Sequence, residues 1–126
     1  MSELNNIALK ILNNGKGILA ADESTTTMTK RLESVRVQST AENRLLFREI
    51  LFSASCMTEY IGGVILYDET IKQITSKKNK IPELISAMGS SPGIKVDTGA
   101  KVLAGSPNEK ITEGFGWLKR KIKRIL

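Results

Sequence analysis

With 126 residues, 40% of them hydrophobic and 25% charged, and a formal net charge of +6, the chain has the composition of one small globular domain rather than a disordered segment. No apolar run approaches the roughly 18 residues that span a bilayer, and the N-terminus, MSELNNIALK, lacks the pattern of a secretory signal. One cysteine and no histidine exclude an intramolecular disulfide and leave a zinc or haem site without its usual ligands, so we expect a cytoplasmic protein without metal or cofactor.

The first half of the chain alternates between helical and strand patterns. Residues 3–13 repeat apolar side chains at helical spacing, and the short apolar run at 17–21 (GILAA) is typical of a strand buried on both faces. A helix is predicted around residues 29–35. Ser39 and Glu42 then form the capping-box pattern that begins a further helix.

The second half continues this alternation. Residues 61–67 (IGGVILY) are predicted as a second buried strand, Pro82–Met88 as a helix and residues 94–97 (IKVD) as a third strand, while 98–111 are predicted as a loop and 112–126 as a basic amphipathic helix. No Asn-Gly hairpin signal lies between the strands. We therefore expect parallel pairing through βαβ units.

Acidic residues follow all three predicted strands. Asp22 ends the first, Asp68 and Glu69 end the second, and Asp97 ends the third. Ligands of parallel α/β proteins bind at the carboxyl ends of the strands, so this pattern suits a site at one rim of the sheet. Polar residues also follow strands because loops are hydrated, and the periodicity alone leaves both interpretations open.

Several ordered blocks between about Leu4 and Leu118 resemble the N-terminal part of class I fructose-bisphosphate aldolases. These blocks are GKGILAADEST, KRLES, ENR, FREILF, IGGVILYDET, IPELI and PGIKVDTGAKVLAGSPNEKITEG. The resemblance implies a glycolytic lyase that cleaves fructose 1,6-bisphosphate into dihydroxyacetone phosphate and glyceraldehyde 3-phosphate through a lysine Schiff base, without a metal.

The resemblance also implies the fold, a (β/α)8 TIM barrel, which typically takes about 250 residues. We therefore expect an α/β fold that is a partial barrel, with an N-terminal helix and about the first three β/α units, as a single domain over 1–126 with a divergent basic tail at 119–126. No lysine of the chain aligns with the Schiff-base lysine of the family, which would lie beyond Leu126. The chain alone is expected to be inactive.

Four site residues follow from the resemblance. Asp22 resembles the catalytic aspartate of the family, and Ser24, Thr27 and Arg31 resemble residues near a substrate phosphate. From the residues themselves, Asp22 could equally be a helix cap or a hydrated loop acid, Ser24 a capping serine and Arg31 a surface arginine. Thr26 stands where the family usually has glycine. If that glycine had positive φ, Thr26 would strain the loop by about 1–2 kcal/mol.

Further expectations concern charges and partners. Lys95 and Asp97 share a face of the predicted third strand, where they could form a structural salt bridge or act in catalysis, and we leave them outside the site. The resemblance implies a sugar-phosphate substrate, an often tetrameric assembly and possible association through an exposed barrel edge.

The alternative function is a basic module at the C-terminal end of the chain. Five cations lie within the last eight residues, and the body is close to neutral. An apolar stripe accompanies them, formed by Trp117, Leu118, Ile122, Ile125 and Leu126. Such a helix could bind an anionic membrane or nucleic acid. We favour packing of the stripe against the barrel, and expect neither nucleic acid nor membrane as a partner.

Overall fold

The computed structural model describes residues 2–114. The chain divides into two compact units, and the boundary in the sequence lies between Lys95 and Val96. The expected single domain over 1–126 stays a prediction, and the basic tail at 119–126 lies outside the described residues. Among residues 2–114 there is no helix with the length and apolar character that crossing a bilayer requires.

The first unit alternates helices with strands. Its helices are α1 (Glu3–Leu12), α2 (Thr25–Ser34), α3 (Ala41–Phe52), α4 (Met57–Tyr60) and α5 (Ile81–Ala87). Its strands are β1 (Gly17–Ala21), β2 (Ile61–Leu66) and β3 (Ser91–Ile94). Short 3-10 turns follow α1 and β2, at Asn13–Gly15 and Thr70–Lys72.

The three strands of this unit form a parallel sheet in the order β1-β2-β3. Ala21 is in register with Leu66, and Leu66 with Ile94, so the carboxyl ends of the three strands lie side by side. The predicted parallel pairing is therefore confirmed. The loops that leave these ends can bring distant parts of the sequence together at one rim.

The hydrophobic core lies against the central strand. Seven buried side chains form it: Ala21, Phe52, Met57, Val64, Leu66, Ile81 and Ile85. β1 was predicted to be buried on both faces, and this is wrong for most of the strand, since Ile18 is 55% exposed and only Ala21 is fully buried. β1 is an edge strand of the described sheet, whereas β2 has a neighbouring strand on each side.

Two helix starts differ from prediction. α2 begins at Thr25 rather than near residue 29, because the Ser24 hydroxyl caps its first turn. α3 is capped by Thr40 and not by Ser39, since the Thr40 hydroxyl accepts the amide hydrogen bond of Asn43. The Ser39 hydroxyl instead lies 2.8 Å from that of Thr29, linking the start of α3 to α2.

The third strand and the segment after it also depart from prediction. β3 ends at Ile94 rather than at Asp97, which belongs to the second unit. The predicted loop at 98–111 is wrong: β4 (Ala100–Leu103) and β5 (Ser106–Thr112) pair antiparallel around Gly105, whose φ is +80°. Most of their side chains are exposed, and the polar sequence of β5 in particular gave no strand pattern. The helix predicted over 112–126 is wrong at residue 112, which ends β5, and its part from 115 onward lies outside the described residues.

Candidate functional site

The centre of the candidate site is an ion pair across the carboxyl rim of the parallel sheet. Asp22 follows β1 and Lys95 follows β3, and Lys95 Nζ lies 3.0 Å from Asp22 Oδ2. Both side chains are about a quarter exposed, at 27% for Lys95 and 24% for Asp22. The Lys95 amide donates to the carbonyl oxygen of Leu66 at 2.8 Å, which fixes its backbone to the end of β2.

The contact of Lys95 with Asp22 was not predicted from the sequence, which left Lys95 outside the site. Its ammonium reaches Asp22 over 73 residues, and the expected pairing of Lys95 with Asp97 stays a prediction. Strand register is the signal that could have revealed the contact with Asp22. Ala21 and Ile94 are both in register with Leu66, and Asp22 and Lys95 directly follow them. Using that signal required the true end of β3.

Ser24 and Thr27 lie together at the N-terminus of α2. Ser24 Oγ accepts a hydrogen bond from the Thr27 amide at 3.3 Å, and the two hydroxyl oxygens are 3.1 Å apart. Ser24 is therefore the helix cap that one of the two interpretations predicted. The N-terminus of this ten-residue helix also carries amide donors and a partial positive charge, which favour anions.

Thr26 is free of the strain that a positive φ would impose. It lies in the first turn of α2, and the non-glycine residues with positive φ among the described residues are Asn14, Arg36 and Lys78. The backbone around Ser24 and Thr27 is that of an ordinary capped helix.

Arg31 extends from α2 back toward the loop between β1 and α2. Its guanidinium donates from Nη1 to Glu23 Oε1, and its side chain is 55% exposed. Arg31 is thus a surface arginine, as one interpretation held. It is paired with Glu23, which stands between Asp22 and Ser24 in the sequence.

Two arginines on α3, which the sequence left outside the site, hold the loops at this rim. They are spaced by four residues and so share a helix face. Arg44 donates from Nε and Nη2 to the two carboxylate oxygens of Glu69, at 2.9 and 2.5 Å. Arg48 donates from Nη2 to the main-chain oxygen of Glu23 at 2.9 Å. One arginine therefore binds the loop after β2, and the other the loop after β1.

Charge and burial shift the pKa values of these groups. Hydrogen bonding to Arg44 lowers the pKa of Glu69, and the same bond raises the pKa of Arg44. Burial lowers the pKa of Arg48, against the opposing influence of the Glu23 and Glu69 carboxylates. The spacing of four residues between Arg44 and Arg48, in the blocks ENR and FREILF, indicated a shared helix face but not the loops that the two arginines bind.

The remaining strand-end acids have other partners. Asp68 Oδ2 accepts from Lys72 Nζ at 2.9 Å, and Glu69 is engaged by Arg44. Asp97 Oδ1 accepts from the Gly99 amide at 3.0 Å within the second unit. Over residues 2–114, no three acidic or cysteine side chains group closely enough to hold a metal ion.

Comparison with known proteins identifies the family that the chain matches. The family model described as fructose-bisphosphate aldolase class-I matches residues 3–125. Fructose-bisphosphate aldolase 2 of Caenorhabditis elegans is 47% identical over 113 residues, which are 90% of this chain and 31% of that protein. The non-muscle fructose-bisphosphate aldolase of Lethenteron camtschaticum is 47% identical over 123 residues, covering 97% of this chain and 34% of that protein.

The fold agrees with that of a solved relative. The fructose-bisphosphate aldolase of Plasmodium falciparum, crystallised with TRAP and a small-molecule inhibitor, superposes with a TM-score of 0.88 at 37% identity, covering 98% of this chain and 35% of that one. The prediction of a partial (β/α)8 barrel is thereby confirmed. The chain spans about a third of the length of the relatives it matches.

Proposed function

The chain belongs to the class I fructose-bisphosphate aldolase family, and from this premise we propose that it forms the first part of an enzyme that reversibly cleaves fructose 1,6-bisphosphate into dihydroxyacetone phosphate and glyceraldehyde 3-phosphate. The reaction proceeds through a Schiff base on a lysine outside these 126 residues. These residues alone are therefore inactive. The enzyme acts in glycolysis in the cytoplasm, without a cofactor.

The ion pair between Asp22 and Lys95 is the observation that carries this proposal. A carboxylate at the carboxyl rim of a parallel sheet can accept the proton of a substrate hydroxyl and orient that hydroxyl for bond cleavage. The Lys95 ammonium donates a hydrogen bond to the Asp22 carboxylate and offsets its negative charge at this rim. Lys95 thereby holds the Asp22 carboxylate in one orientation at the rim.

The phosphate-binding part of the site is formed by Ser24, Thr27 and Arg31. Two hydroxyls 3.1 Å apart at a helix N-terminus offer hydrogen bonds where the helix dipole already favours an anion. A guanidinium has five donors, and one from Arg31 is used by Glu23. The other donors of Arg31 are available to phosphate oxygens.

A chimaeric enzyme tests the proposal. Residues 3–114 of this chain replace the matching segment of the Caenorhabditis elegans relative, and cleavage of fructose 1,6-bisphosphate is assayed. We expect turnover, and we expect Asp22→Asn to lower kcat by about 100-fold or more with folding intact by circular dichroism. Glu33→Gln, on the exposed face of α2, is the matched control and should retain activity.

The isolated chain provides the complementary test. We expect neither cleavage of fructose 1,6-bisphosphate nor a borohydride-trapped adduct with dihydroxyacetone phosphate. A folded but inactive chimaera would contradict the proposed contribution to catalysis. A sugar phosphate trapped on any lysine of the isolated chain would contradict the placement of the Schiff base elsewhere.

A further inference from the structure

We propose that Arg48 is a positioning residue that fixes the loop between β1 and α2 and thereby orients Asp22 and Ser24; this inference rests on the function proposed for those two residues. Arg48 itself is only 1% exposed and is expected to touch no substrate. It acts through the main-chain oxygen of Glu23, to which its Nη2 donates at 2.9 Å.

The buried guanidinium of Arg48 is poorly explained by a contribution to core stability alone. Its Nε and Nη1 are buried, and neither has a hydrogen-bond acceptor among the described residues. A buried charge with incomplete hydrogen bonding is costly, because the lost hydration of the guanidinium is not fully replaced by protein contacts. The distinctive contribution of Arg48 is therefore the contact with the loop.

Glu23 receives an arginine from each side. Its main-chain oxygen binds Arg48 of α3, and its carboxylate binds Arg31 of α2. Asp22 and Ser24 are the residues immediately before and after it. Any movement of Glu23 would shift both, and displacements near 1 Å can lower enzymatic rates by about 100-fold.

The surroundings of Arg48 agree with this role. Glu23 and Glu69 contribute negative charge near Arg48, and Arg44 contributes positive charge. Arg44 makes the equivalent anchor for the loop after β2, through Glu69. Arg44 provides a matched control. Like Arg48, it is an arginine on the same face of α3, but it holds a different loop.

The experiment compares the full chain with its Arg48→Met and Arg44→Met variants by amide hydrogen exchange and by titration with inorganic phosphate. The amides of Thr27 and Met28 report the loop, because they bond to the side chain and main chain of Ser24. We expect Arg48→Met to accelerate exchange of these two amides by about 10-fold or more. We expect amides of β2 to keep their protection, and Arg44→Met to spare Thr27 and Met28.

Phosphate provides the second readout. We expect Arg48→Met to weaken phosphate binding about 10-fold, with global unfolding unchanged or shifted to higher denaturant. Arg48→Lys keeps a cation and a hydrogen-bond donor, so it should retain part of the amide protection and part of the phosphate affinity that Arg48→Met loses. If Arg48→Met does not fold, Arg48→Lys is compared with wild type by the same two measurements.

Two outcomes would overturn the inference. One is unchanged exchange at Thr27 and Met28, and the other is a parallel loss of protection in β2, which indicates a general structural role. Selective loosening of the loop in a chain that shows no phosphate binding would contradict the proposed phosphate site while supporting the role of Arg48.

Discussion

Gly62 of β2 lies against the main-chain oxygen of Ile11 in α1, so closely that a Cβ on this glycine would be 1.8 Å from that oxygen. The neighbouring Gly63 faces the Ile11 side chain, with a Cβ position 3.3 Å from its Cγ2. The two glycines therefore let α1 approach the central strand of the sheet. These positions require glycine because a side chain would collide with α1, and not because the backbone needs the conformational freedom of glycine.

Gly62→Ala is expected to lower the free energy of unfolding by about 3 kcal/mol, because the methyl group forces α1 away from β2. Urea denaturation measures the change. Gly17→Ala is the control, since a Cβ at that position of β1 meets no atom within 4 Å, and its effect should stay within about 0.5 kcal/mol. Equal effects of the two substitutions would contradict the close approach of α1.

The pair of Arg44 and Glu69 predicts a specific pH dependence of stability. Arg44 lowers the pKa of Glu69 below its ordinary value near 4.5. The unfolded chain therefore takes up this proton at higher pH than the folded chain, so the pair stabilises the fold fully above pH 4.5 and progressively less as the pH falls through the folded pKa. The stability difference between wild type and Glu69→Gln should shrink as the pH falls from 6 to 3.

Arg44→Met controls this prediction, because it removes the cause of the shift. It should reduce the pH dependence as Glu69→Gln does, and the double variant should reduce it no further. Urea titrations at each pH give the free energies. A stability difference that grows on acidification would have the wrong sign for a lowered pKa.

The local sequence predicted β1, whose ends are marked by a change between apolar and polar residues. The bounds of β1 are those predicted, because an apolar run meets a polar turn on each side. β3 was misplaced by three residues, since the alternation of Ile94 to Asp97 continues past the last residue of β2 that can pair with it, Leu66. Strand length here depends on the partner, which a local pattern does not contain.

The site was predictable only in part, for the same reason. Asp22, Ser24, Thr27 and Arg31 stand in one stretch, where the resemblance could point to them. Lys95 and Arg48 reach the same place over 73 and 25 residues. Their contributions arise from strand register and from the face of α3, and no spacing within the sequence reveals such contacts.

Thr26→Gly tests whether this threonine strains the loop. Because Thr26 is helical, the substitution should give no relief of strain and should lower the free energy of unfolding by up to about 1 kcal/mol through the poor helix propensity of glycine. Thr26→Ala, with a better helix former, should leave stability unchanged or raise it. A gain of about 1–2 kcal/mol from glycine would instead indicate positive φ in solution.

Ser24 has a structural role and a proposed functional one, and two substitutions separate them. Ser24→Ala removes the hydroxyl that accepts the Thr27 amide and should cost about 1 kcal/mol of stability. Ser24→Asp keeps a good capping oxygen and places a negative charge near the positive end of α2, so stability should stay within about 0.5 kcal/mol of wild type or rise.

The same aspartate should weaken binding of inorganic phosphate by about 10-fold or more, because its carboxylate repels the anion at the helix N-terminus. Isothermal calorimetry or chemical-shift titration measures the affinity, and Thr25→Ala, at the neighbouring exposed position, serves as the control. If Ser24 only caps the helix, Ser24→Asp will bind phosphate as wild type does. Loss of affinity at retained stability is the combination that a capping role alone does not produce.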